Sequence, residues 1–160
     1  MQVDHFRQLY RYHYAINQKI WDEAISQISD EQFTQAFPYS VGSVRNQLVH
    51  MAETELRWFS GLQELPPPPY SNPNLFPHKQ QVQALSNQAK SMIDAYLEDL
   101  SDSDLDDPFG SPPSKLKVWQ VLFHILSHGI DHRAQLLGML NQLGIETFPQ
   151  DYALYLLGRI

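Results

Sequence analysis

The chain has 160 residues, 11 basic against 18 acidic, with no cysteine, seven histidines and eleven prolines. Without cysteine there is no disulfide scaffold, thiolate nucleophile, Cys-ligated zinc or iron–sulfur cluster, so any metal must be held by His, Asp or Glu. A net charge of −7 argues against a nucleic-acid grip, which needs surplus Lys and Arg to displace counterions.

The length suits one domain, residues 1–160, with a sizeable core. Residues 1–20 are polar and charged, without the apolar stretch of a signal peptide. No segment approaches the roughly 18 uninterrupted apolar residues of a membrane span. The expectation is a soluble cytoplasmic protein that partners neither nucleic acid nor membrane.

In chain order, residues 3–28 predict the first long helix. Phe6, Leu9, Tyr10, His13, Ile16, Ile20, Ala24 and Ile28 recur at steps of three and four, the spacing of one helix face. Ser29 and Gln32 then have the S-x-x-Q shape of a capping box and predict a short helical turn. Pro38 and Gly42 mark a loop. The second helix begins after Ser43, a good N-cap, and runs to Leu62. Residues 61–77 are punctuation: prolines 66–69, then Pro73 and Pro77, predict a long surface connection with an extended stretch. The third helix covers residues 78–100, striped by Val82, Leu85, Ala89, Met92, Ile93, Tyr96 and Leu97. Residues 98–107 hold six acids but lack the ligand order of a calcium loop, so they predict a solvated turn. The fourth helix covers residues 114–143, and residues 152–160 predict a short terminal helix packing back. Four long helices with one long crossover predict an all-α four-helix bundle whose helices are not all antiparallel neighbours.

The fourth helix carries His124, His128 and His132 at steps of four. Such neighbours stand one turn apart and about 40° around the helix. His128 and His132 lie where its polar side meets its apolar side, the border of a cleft, and suit a metal-ligand pair. His124 falls on the wet side, a surface histidine near the site mouth. A third ligand is needed, and His50 sits beside the apolar arc of the second helix. It reads equally as a ligand or as a core histidine satisfied by a hydroxyl. His5, His13 and His78 read as packing, surface or cap residues.

The string Ser127-His128-Gly129-Ile130-Asp131-His132-Arg133-Ala134-Gln135 resembles the N-H-x-x-H-H-R-G-Q signature of the DinB-like (DinB/YfiT) family. Residues 42–58, with His50, are similar to that family's second helix. The resemblance implies up-down-down-up connections, a divalent metal held by His50, His128 and His132, and frequent dimerisation. Ser127, Asp131 and Ala134 depart from the signature, none at a ligand position, and the small Ala134 still permits close helix approach.

Three imidazoles leave positions open on zinc, nickel, iron or manganese, the arrangement of a catalytic rather than a structural site. The resemblance implies a metal-dependent enzyme acting on a small molecule, a transferase or hydrolase-like enzyme, with a low-molecular-weight thiol as a candidate partner. A non-catalytic metal-containing protein that binds a small ligand or serves a stress response is the alternative. No residue is singled out as catalytic. Asp131 and Gln135 are candidates to orient the ligand histidines. Glu55, inside the apolar arc of the second helix, reads as a buried ion pair with an arginine such as Arg133, or as a general base. The fourth helix also carries a second apolar arc, including Phe123, Ile130 and Ala134, which predicts a homodimer contact.

Overall fold

A computed structural model describes residues 2–110, 112 and 114–160. Helix α1 spans Val3–Glu23 and buries Val3, Phe6, Tyr10, His13, Ile16 and Ile20, the predicted stripe. Its first amide is taken by Asp102, whose Oδ1 accepts from the Val3 N–H at 2.7 Å. The helix stops one turn earlier than the periodicity predicts. Ala24 leaves helical geometry and residues Ile25–Gln27 tighten into a 3-10 turn. Ile25 and Ile28 are buried all the same, so the apolar stripe persists through a change of helix type that a pattern of burial does not register.

The capping box forms as predicted. Ser29 and Gln32 exchange side-chain and backbone hydrogen bonds, opening helix α2, Asp30–Thr34. Helix α3 is Val44–Leu62, with Ser43 Oγ accepting from the Asn46 amide at 3.0 Å. Helix α4 is Lys79–Asp99, capped by His78. Helix α5 is Val118–Gln142 and begins four residues later than predicted. Residues before it are held in a bridge: the Phe109 amide donates to Leu116 O at 2.7 Å and the Val118 amide to Asp107 O at 3.0 Å. These long-range bonds claim backbone groups that a helical turn would need. Helix α6, Tyr152–Leu156, sets Tyr152 and Tyr155 against the Tyr12 ring, at 5.0 and 5.4 Å between centroids. Among the described residues there is no strand, and no helix is long and apolar enough to cross a membrane.

Side-chain pairs give the helix directions. Tyr10 meets Phe59 while His13 meets Glu55, so α1 and α3 are antiparallel. Tyr10 reaches Leu122 while Asn17 meets Arg133, so α1 and α5 are parallel. Arg7 reaches the Leu97 carbonyl while Lys90 lies over Tyr14, so α4 opposes α1. The bundle is up-down-down-up, and residues 63–78 carry the chain across its length between the two parallel helices α3 and α4.

The apolar core falls into two clusters. One holds Ile16, Ile20, Phe33, Val44 and Leu136; the other holds Phe6, Tyr10, Phe59, Ile93 and Leu122. Between them lies a buried polar network. Arg133 Nη1 donates to His13 Nδ1 at 2.6 Å, and His13 Nε2 donates to Glu55 Oε1 at 2.8 Å. The Tyr14 hydroxyl donates to Glu55 Oε2 at 3.0 Å. Glu55 is therefore not paired directly with Arg133; His13, read from sequence as a packing or surface residue, stands between them. Gly129 lets α5 pass this ring, since a Cβ there would lie 2.3 Å from His13 Cε1. The close approach in the histidine string is thus made at Gly129. Ala134, expected to permit it, is exposed.

Candidate metal centre

Because α3 and α5 are antiparallel neighbours, His50 stands opposite the α5 pair. Ring centroids are 4.6 Å apart for His50 and His132, 5.2 Å for His50 and His128, and 4.1 Å for His128 and His132. One nitrogen from each lies within 4.8 Å of the others, and all three residues are half-buried. A single ion can therefore be reached by all three. The ambiguity over His50 is resolved as a place: it is beside the pair, across the cleft.

The site favours neutral imidazole, the form that binds metal. Burial, then the neighbouring His132, His50 and His124, push His128 down to about 4. Burial also lowers His50, against the opposing pull of Glu53, and lowers His132, with His50 adding to the effect.

Around the triad the expected partners shift. Asp131 is exposed and accepts from Gln135 Nε2 at 3.0 Å; neither residue is bonded to a triad imidazole. Asp131 lies on the wet side of α5, and Gln135 is half-buried one turn on. The residue that touches a triad ring is Gln47, fully buried on α3 one turn before His50. Its amide nitrogen lies 2.5 Å from His132 Nδ1 and donates to the His132 carbonyl at 3.1 Å. An Nδ1 that accepts from the Gln47 amide leaves the ring proton on Nε2; for Nε2 to bind a metal the contact must reverse, with Nδ1–H donating to the Gln47 amide oxygen. Ser40, at φ 51°, donates to Gln47 Oε1 at 2.9 Å and also contacts Gln135 Oε1. Gln135 therefore belongs to the rim of the site. A buried glutamine within an otherwise apolar arc was the signal available in the sequence. His124 is exposed, 6.1 Å from the His128 ring and 5.0 Å from Trp58; it borders the cleft without joining the cluster. Glu55 lies in the core network, with both oxygens engaged.

The sequence model of the DinB family matches residues 1–158. The chain belongs to the DinB family. A crystal structure of a DinB-like protein from Bacillus cereus ATCC 10987 is similar in fold to this DinB chain, with a TM-score of 0.69 at 18% identity. The likeness covers 94% of this chain and 98% of that one. No curated protein matches the chain.

Acid should destabilise this DinB bundle when it is free of metal. Burial and then Arg133 lower His13, with Glu55 opposing, and the triad is lowered as described. Once unfolded, these imidazoles take up protons near 6.5, whereas in the fold they resist, His128 down to about 4. Below 6.5 the unfolded chain binds more protons, so stability present above that pH is lost as pH falls. Thermal melts between neutral pH and about 4 should show a steadily falling Tm, and a flat profile would contradict the assignment.

Proposed function

We propose that His50, His128 and His132 hold one divalent metal ion and that the protein is a metal-dependent enzyme acting on a small molecule. The observation that supports this most is the convergence of three imidazole nitrogens within 4.8 Å. The donor set fits: three neutral nitrogens suit zinc, nickel, iron or manganese, and no triad ring is committed to an ion pair. Such an ion supplies Lewis acidity and lowers the pKa of a water or thiol at an open position. The protein's own residues hold and orient it. Gln47 engages His132 Nδ1, while the cleft between α3 and α5 is bordered by Trp58 and His124.

Thiol transfer is the reaction we favour within this reading. The chain has no cysteine, so the thiol arrives as a low-molecular-weight co-substrate. Assays of metal-loaded protein with small thiols and electrophiles test this, with turnover expected to vanish in His128→Ala. Metal-loaded protein that binds such thiols without turnover would instead be a ligand-binding protein.

The contact to His132 also has a measurable role. Gln47→Leu should weaken metal binding roughly 10–100-fold, the range for partners that orient a ligand histidine. Gln47→Glu keeps an acceptor for Nδ1–H and should lose less. Equal affinities for wild type and Gln47→Leu by calorimetry would remove Gln47 from the site.

We further place a homodimer contact on α5. Phe123 and Ile130 are 55% and 44% exposed, two turns apart on one side of the helix together with Ala134. Sedimentation at micromolar concentration should give the mass of a dimer, and Ile130→Glu should give that of a monomer. A monomeric wild type would exclude this contact.

A further inference from the structure

Residues 68–74 of the crossover run back along the outside of α3 and are clamped there. The Arg57 guanidinium donates to the Pro68 carbonyl oxygen. The Ser71 amide donates to the buried Glu53 carboxylate at 3.0 Å, and Arg45 donates to Asn74 Oδ1 at 2.6 Å. The preceding prolines are already extended, which lowers the entropy lost in holding the strap in place.

Within this strap Tyr70 lies against the metal centre. Its ring stacks on His50, with centroids 6.2 Å apart and planes inclined by 22°. The Arg57 guanidinium carbon is 4.3 Å from the same ring. His50 and Arg57 are seven residues apart on α3, which puts them on one face about 10.5 Å apart along the axis. The Tyr70 ring therefore lies against this face of α3, close to both side chains. The Tyr70 hydroxyl is 3.5 Å from Thr54 Oγ1, the outer limit of a hydrogen bond. Thr54 is one turn beyond His50, so the phenol O–H, held only by this long contact, belongs to a ring that lies against His50 and to a residue that is 54% exposed.

We propose that Tyr70 is a ligand-positioning residue of the centre, its phenol O–H donating to a small anion whose donor atom occupies the open position. This rests on the metal reading above. Three neutral imidazoles leave the ion's charge uncompensated. Arg57 adds positive charge against the ring, and an O–H held only by the long Thr54 contact favours an acceptor that carries negative charge. Carboxylates and thiolates are the organic groups of this kind.

The cobalt(II)-loaded protein tests it, because the visible spectrum reports metal uptake and anion uptake separately. Azide and acetate are the probes. Tyr70→Phe keeps the ring and its stacking on His50. It should bind cobalt with wild-type affinity but both anions about tenfold more weakly, the scale of one hydrogen bond to a charged group. Unchanged anion affinity in Tyr70→Phe overturns the proposal, as does a wild-type cobalt protein that takes up neither anion. Lost cobalt affinity in Tyr70→Phe also overturns it, since the phenol would then belong to the ligand set. A wild type that binds no cobalt fails at the metal reading itself, so the two failures are distinguishable.

Discussion

His128→Ala should leave the protein without stoichiometric metal, while wild type prepared under metal-replete conditions holds about one ion per chain. The alanine removes one of three ligands, so the loss of affinity should exceed the roughly 10–100-fold typical of an outer partner. His128 is the cleaner choice because its ring neighbours both His50 and His132, at 5.2 and 4.1 Å, while His132 is also bonded to Gln47. Stability gives a second readout. A ligand present at about a hundred times its dissociation constant stabilises the fold by about 2.7 kcal/mol, which corresponds to a Tm rise of roughly 5–10 °C at this chain length. Wild type should show that rise on adding metal and His128→Ala should not. Elemental analysis with both proteins empty, or both equally loaded, would remove the triad as the metal centre.

Glu55→Ala should cause the largest loss of stability of any single substitution considered. Glu55 is 5% exposed, and His13 and Arg133 are fully buried. The arginine's charge is answered by the carboxylate through the neutral imidazole between them. Removing the carboxylate leaves a buried guanidinium without a counter-charge, and it strips partners from His13 and Tyr14. Breaking a buried pair from one side costs about 3–5 kcal/mol, a Tm fall on the order of 10 °C. The double variant Glu55→Ala, Arg133→Met removes both charges and should recover part of the loss, because no uncompensated ion remains. Metal stoichiometry should stay at the wild-type level in whatever fraction is folded, since Glu55 takes no part in the triad. A Glu55→Ala protein as stable as wild type would show that the network does not hold the bundle together. One that is stable but fails to load metal would return Glu55 to the site.

Much of the metal centre was legible because helix geometry is local. The four-residue step from His128 to His132 places two imidazoles on one side of α5 whatever surrounds it. The caps at Ser29, Ser43 and His78 were readable for the same reason, each resting on hydrogen bonds to groups two or three residues away. The start of α5 was not, because it is set by bonds from Phe109 and Val118 to partners across a turn. The partner of Glu55 was misassigned for a related reason. His13 is 42 residues from Glu55 and 120 from Arg133, and no periodicity links positions so far apart. Asp131 and Gln135 looked like orienting groups because they are close to His132 in sequence. The contact is made instead by Gln47, from the facing helix.

The residue pattern alone therefore determined the all-α class, the four long helices, the long crossover and the α5 pair. Each depends on turns, caps and spacing within one segment. Only the tertiary structure decided that His50 faces that pair, that Gln47 is its nearest support and that His13 joins Glu55 to Arg133. It also decided that Tyr70 is laid over His50 by a strap of the crossover. These depend on which helices run antiparallel and at what register they pack, a matter of burying two apolar clusters around one polar layer, and no single segment carries that information.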